Sequence, residues 1–154
     1  GLSAIQTTFF HEGKPVVNLL ELNELKSLKS HAGVDRALLS FDIDADLTGA
    51  FNWNIKQLFV FVVAEYATKT NPINQVVIWD EIIENKESAH IQQRGKFVKY
   101  GLIDQVAELR GKDITLKLFW EQMPLTGQVT LHAGGDQTFA MPDQYTNFNK
   151  GSRS

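Results

Sequence analysis

Two hydrophobic patterns run along the chain. The first is strict alternation. In SFDIDADLTG, Phe41, Ile43, Ala45 and Leu47 alternate with Asp42, Asp44 and Asp46. Successive side chains of a strand point to opposite faces, so this spacing predicts a strand with one buried and one wet side. KDITLKLFWEQ repeats it, with Ile114, Leu116, Leu118 and Trp120 opposed by Thr115, Lys117 and Glu121, and with Phe119 breaking the polar side. The second pattern is a continuous apolar run, Leu58–Ala64, followed by another at Val76–Trp79. Both are far short of the about 20 apolar residues a membrane-spanning helix needs. Their branched and aromatic residues predict strands, turned by the Asn71-Pro72 pair of the intervening TKTNPIN.

Those two strands pose a problem of cover. Leu58, Val60 and Val62 point one way and Phe59, Phe61 and Val63 the other, and Val76 and Ile78 oppose Val77 and Trp79 in the same manner. A sheet in a two-layer sandwich buries one face, so a sheet apolar on both sides needs a second cover. The cover is either the chain itself, through its N-terminal segment or the Ile82–Phe97 region, or a partner or a membrane surface.

The remaining segments extend the all-β pattern. A strand is expected over Pro15–Leu22, another over Gly127–Leu131, then a tight hairpin at HAGGD, whose paired glycines tolerate positive φ, and a returning strand over Gln137–Met141 stopped by Pro142. Between Lys96 and Leu109 a strand and then a short helix or turn is expected, since Leu102, Val106 and Leu109 have helical spacing. Seven or more short strands without βαβ alternation predict an all-β fold, an antiparallel β-sandwich or barrel in a single domain.

Composition narrows the chemistry. The 154 residues suffice for one domain with a substantial core. With no cysteine, disulfides and thiolate metal sites are excluded, and the redox compartment stays open. A net charge of -3 with scattered Lys and Arg argues against a nucleic-acid partner. Asp44-Ala45-Asp46-Leu47-Thr48 has the D-x-D-x-T form of phosphoryl-transferring haloacid-dehalogenase enzymes, but that chemistry needs carboxylates at the end of a fully buried parallel strand, and here Asp42 extends the alternation. Counted as a calcium loop from Asp42, the glycine and glutamate positions hold Leu47 and Trp53. His11, His31, His90 and His132 have no metal-ligand spacing, and no G-x-S-x-G elbow or phosphate-binding glycine loop is present. A binding or scaffold module without cofactor is expected.

Several motifs occur in one order: FDIDADL (Phe41–Leu47), FNWNIKQLF (Phe51–Phe59), AEYATK (Ala64–Lys69), NQVVIWD (Asn74–Asp80), then KDITLKLFW and the terminal PDQY of Pro142–Tyr145. In these the chain resembles the subunit 3 family of the eukaryotic signal peptidase complex. The resemblance implies a β-sandwich in the endoplasmic reticulum lumen, a preceding single-pass type II membrane helix, and a non-catalytic role in removing signal peptides from nascent secretory and membrane proteins. Its partners would be the catalytic subunit and the other accessory subunits, and the membrane through that helix. The S-x-M-x-P setting of the catalytic subunit's serine does not occur here, since Met141-Pro142 follows Thr138, Phe139 and Ala140.

On this basis residues 1–10 are expected to be the lumenal end of, or linker from, a membrane anchor, 11–148 the sandwich, and 149–154 a tail whose GSRS resembles a vector-derived linker. No asparagine stands in an N-x-S/T acceptor site, although family members are often glycosylated. For docking by a sheet edge or face, the candidates are Asn52, Trp53, Asn54, Lys56, Gln57, Gln75 and Trp79, which mix tryptophan with amide donors and acceptors. A free-standing β-sandwich that binds peptide or carbohydrate is the alternative.

Overall fold

The computed structural model describes residues 14–105 and 108–146. The segments 1–10 and 149–154, for which an anchor-proximal stretch and a tail are expected, lie outside them, as do His11 and Val106. Eight strands form two antiparallel sheets: β1 (Val16–His31), β2 (Val34–Asp46), β3 (Ile55–Tyr66), β4 (Asn74–Ile83), β5 (His90–Phe97), β6 (Leu102–Asp104), β7 (Asp113–Pro124) and β8 (Thr130–Ala140). One sheet has the order β1-β2-β5, with β6 pairing the start of β2; the other has the order β4-β3-β7-β8. The fold is an antiparallel β-sandwich.

The alternating strands supply the core. Ala37, Leu39, Phe41, Ile43 and Ala45 of β2 face Leu58, Val60, Val62 and Ala64 of β3 and Ile114, Leu116, Leu118 and Trp120 of β7, all buried. Phe41 meets Trp79 across the two layers edge to face, with ring centroids 5.8 Å apart at 74°, an arrangement favoured by the ring quadrupoles. In β4 a register shift between the pairs Val62–Trp79 and Val63–Val77 leaves Ile78 unpaired with β3. This bulge turns Ile78 and Trp79 both inward and fully buries them, whereas simple alternation sets them on opposite faces.

β1 is twice the expected length. Its pairing with β2 shifts at Val17/Leu19, Leu22/Glu24 and Leu25/Ser27, so period two fails over its second half. It then turns into β2 through Ala32 and Gly33, both at positive φ (54° and 79°), the geometry of a two-residue hairpin turn.

The hairpin expected at HAGGD does not form. β8 runs through it, and Gly134-Gly135 lies at a bulge where the pairing with β7 shifts between Lys117 and Leu118. Gly135 has φ 74°, and a Cβ there would stand 2.8 Å from Val17 Cγ1. The glycines therefore let β1 of one sheet approach β8 of the other closely. Lys96–Leu109 also departs from expectation: a strand begins earlier, at His90, and the short strand β6 follows.

The far end of the sandwich is closed by the C-terminal segment. Buried Asp35 accepts hydrogen bonds from the Leu109 amide (3.1 Å) and the Tyr145 hydroxyl (2.8 Å), Thr146 exchanges hydrogen bonds with the Leu28 backbone, and the Arg110 guanidinium lies over the Tyr145 ring. The PDQY motif thus has a structural task.

Candidate interaction surface

The outer face of the β4-β3-β7-β8 sheet divides into two halves along its strands. Nearer the start of β3 it is aromatic. Phe61 of β3 stacks on Phe119 of β7 (5.5 Å, 12°), and Phe59 meets Phe61 edge to face (5.9 Å). Exposed Ile82 pairs with Phe59 on one side, and exposed Leu131 lies beyond Glu121 on the other. Phe119, which breaks the polar side of β7, belongs to this patch. The other half is a polar lattice: Glu65 accepts from Gln75 (2.9 Å) and Lys117 (3.3 Å), and Thr115 bonds Thr138 (2.8 Å). Gln75 foremost, and Lys117 after it, hold the Glu65 carboxyl below its ordinary pKa.

No described element crosses this face. Ile82–Phe97, one of the two segments expected to cover it, instead ends β4 and then forms β5 in the opposite sheet. The other expected cover, the N-terminal segment, lies outside the described residues.

The seven candidate docking residues separate into three places. Trp79 is 1% exposed and belongs to the core, so it is corrected from a surface candidate to a packing residue; its indole N–H finds no partner among the described residues. Gln75 lies in the polar half, on the order of 30 Å along β3 from the others, at about 3.3 Å per residue. Asn52, Trp53, Asn54, Lys56 and Gln57 share the end where β3 begins. Asn52 Oδ1 accepts from the Asn54 amide (2.8 Å), a side-chain turn that kinks the chain into β3. Asn54 clasps the β7–β8 loop, its carbonyl accepting from the Leu125 amide (2.6 Å) and its Nδ2 donating to the Thr126 carbonyl (3.0 Å). Between these two asparagines Trp53 is held 87% exposed. Gln57 is half-buried and, two residues before Phe59, shares the aromatic face.

The three alternating aspartates in the second half of β2 have local duties. Buried Asp42 accepts from the Gly95 amide (2.7 Å) at a bulge in β5 and pairs with Arg94 (3.4 Å). Asp44 pairs with His90 (2.9 Å), which foremost lowers its pKa, with Asn18 and Gln92 adding to the effect. Asp46 caps Thr48 through both its amide and its hydroxyl, and the hydroxyl bond is the main cause of its lowered pKa. His132 stacks on Trp120 and bonds Gln122. Among the described residues no His, Asp and Glu side chains gather as a metal site.

Hydrogen bonds within the fold occupy these polar groups, while an aromatic sheet face and a tryptophan-bearing loop stand outward from the β-sandwich. The family model described as Signal peptidase subunit matches residues 2–144. The signal peptidase complex subunit 3 of Dictyostelium discoideum is 35% identical over 144 residues, covering 94% of this chain and 83% of that protein. The protein of the same name from Gallus gallus is 36% identical over 147 residues (92% and 82%), and that of Homo sapiens 35% over 147 residues (92% and 82%). The chain belongs to the signal peptidase subunit family.

Proposed function

We propose that this protein is a non-catalytic accessory subunit of the signal peptidase complex, held at the endoplasmic reticulum membrane by an N-terminal segment with its sandwich in the lumen. It binds the catalytic subunit laterally and helps fix the height of the catalytic centre above the lumenal membrane surface. Cleavage just beyond a membrane-inserted signal segment demands such a fixed height.

The observation that carries this function is the aromatic half of the outer sheet face. Phe59, Phe61 and Phe119 form a ready-made aromatic platform, flanked by Ile82 and Gln57 and bordered by Asp80 and Glu121, with Leu131 beyond Glu121. Aromatic residues clustered with aliphatic neighbours and a polar margin are the usual make-up of an interface core. Family membership supports reading the occupant as another subunit of the same complex.

The test is co-purification from membranes. Ile82→Glu and Leu131→Glu are exposed substitutions that put charge on the platform while sparing the core. Combined, they are expected to reduce recovery of the catalytic subunit at least tenfold, with the melting temperature of the chain unchanged. Thr138→Glu, in the polar half, is expected to leave recovery intact. Normal recovery with the doubly substituted chain rules out this face as the dock.

A further inference from the structure

Trp53 stands out by exposure and by place. The chain has three tryptophans, of which Trp79 and Trp120 are buried in the core. Trp53 alone is open to solvent, on a loop pinned at both sides by Asn52 and Asn54. The loop clasped to it, between β7 and β8, exposes Leu125 (64%) and Val129 (51%). Residues 47–54 and 125–129 contain no Asp or Glu, and Lys56 stands two residues after the first stretch.

The start of β1 lies at this same end. Val16 pairs with Asp46 at the close of β2, and Lys14 and Pro15 lie beside Gly49, Gln122 and His132. Lys14, the first described residue, therefore lies at the end that displays Trp53. The third loop there, 84–89, carries Glu84, Lys86 and Glu87 and adjoins the β4 edge. The apolar, acid-free part is thus the corner formed by the β2–β3 and β7–β8 loops.

We propose that this corner rests on the lumenal membrane surface, with the Trp53 indole among the lipid headgroups, Leu125 and Val129 beside it, and Lys14 and Lys56 toward the lipid phosphates. The placement rests on the membrane tether proposed above. Tryptophan suits this zone because its ring is apolar and its N–H is a donor, so it settles where water and hydrocarbon meet. Lysines reach phosphates from an apolar stem. One indole and two aliphatic side chains do not hold a free domain on a bilayer, just as one short lipid chain gives only reversible binding. They orient a domain that is already tethered and tilt it onto the corner away from Glu84 and Glu87.

The test tethers the chain through an N-terminal hexahistidine tag to phosphatidylcholine vesicles holding a nickel-chelating lipid, some of the phosphatidylcholine carrying bromine near the headgroup end of its acyl chains. The acrylamide-accessible emission belongs to Trp53, because the other two indoles are buried. Expected on tethering are a blue shift, quenching of that component by bromolipid, and loss of most of its acrylamide access. Trp53→Phe removes the quenched component, and Leu125→Glu restores acrylamide access with Trp53 still present. Full acrylamide access without bromolipid quenching overturns the proposal. So does a photoreactive residue at position 53 that, in native membranes, couples to a protein rather than to lipid, which would assign the corner to a protein partner. Bromolipid quenching together with failed co-purification would refute membership of the complex and leave the lipid contact standing.

Discussion

Tyr66, at the end of β3, is buried, and its surroundings push its pKa up to about 12: burial is the main cause, with the charges of Asp104 and Glu108 adding to it. The folded state thus prefers the neutral phenol. Its stabilising effect is complete below pH 10, the unfolded value, and is lost as pH rises through about 12. The cost at the alkaline end is on the order of 2 kcal/mol. Spectrophotometric titration is expected to show one tyrosine ionising late, together with alkaline unfolding that Tyr66→Phe relieves. Tyr100 is also raised, because its hydroxyl donates to Asp80 at 2.9 Å, but on the surface. Asp35 gives a second prediction. Both its oxygens accept hydrogen bonds at zero exposure, so Asp35→Leu leaves the Leu109 amide and the Tyr145 hydroxyl without their acceptor. A loss of about 2–3 kcal/mol is expected in urea unfolding, against about 1 kcal/mol for Tyr145→Phe, which leaves the carboxylate one partner. At this scale the sequence showed which residues are polar and apolar but not how each is satisfied. Trp53 and Trp79 sit in similar motifs, and the fold separates them: the bulge at Ile78 turns Trp79 into the core, while the loop held by Asn52 and Asn54 keeps Trp53 in solvent.

Among the elements, β2, β3, β4 and β7 were legible because they keep period two or form a continuous apolar run. β1 was half legible. Its three register shifts interrupt the alternation, and Leu22, Leu25 and Leu28 fall three apart as a result. The glycine pair of β8 misled because a hairpin and a bulge ask the same thing of the backbone, a positive φ, and differ only in what lies opposite. Val17 and Leu20 lie opposite Gly135. Gly135→Ala therefore meets both an unfavourable φ and a Cβ contact, and is expected to cost about 2–3 kcal/mol, whereas Gly33→Ala, with open space around it, costs about 1 kcal/mol. Equal losses in thermal unfolding would show that β1 and β8 are not tightly apposed at this point. β5 and β6 were the least legible, since β5 is an exposed edge strand and β6 spans only Leu102–Asp104.

For the whole molecule, the doubly apolar strands posed the central problem in the sequence, and the fold answers half of it. One apolar side of β3 fills the core; the other is the aromatic platform, which the described residues leave open. The candidate dock was only partly legible, because Gln75 and Trp79 are close to the others in sequence pattern but not in space. The platform itself was visible as Phe59, Phe61 and Phe119 on the unexpected side of their strands. A second subunit is expected to cover it. Hydroxyl-radical footprinting of the purified complex, compared with this chain alone, measures that directly. Phe59, Phe61, Phe119, Ile82 and Leu131 are expected to lose most of their labelling on assembly while Tyr100 and Tyr145 keep theirs; unchanged labelling of the platform in an intact complex would show that no subunit covers it.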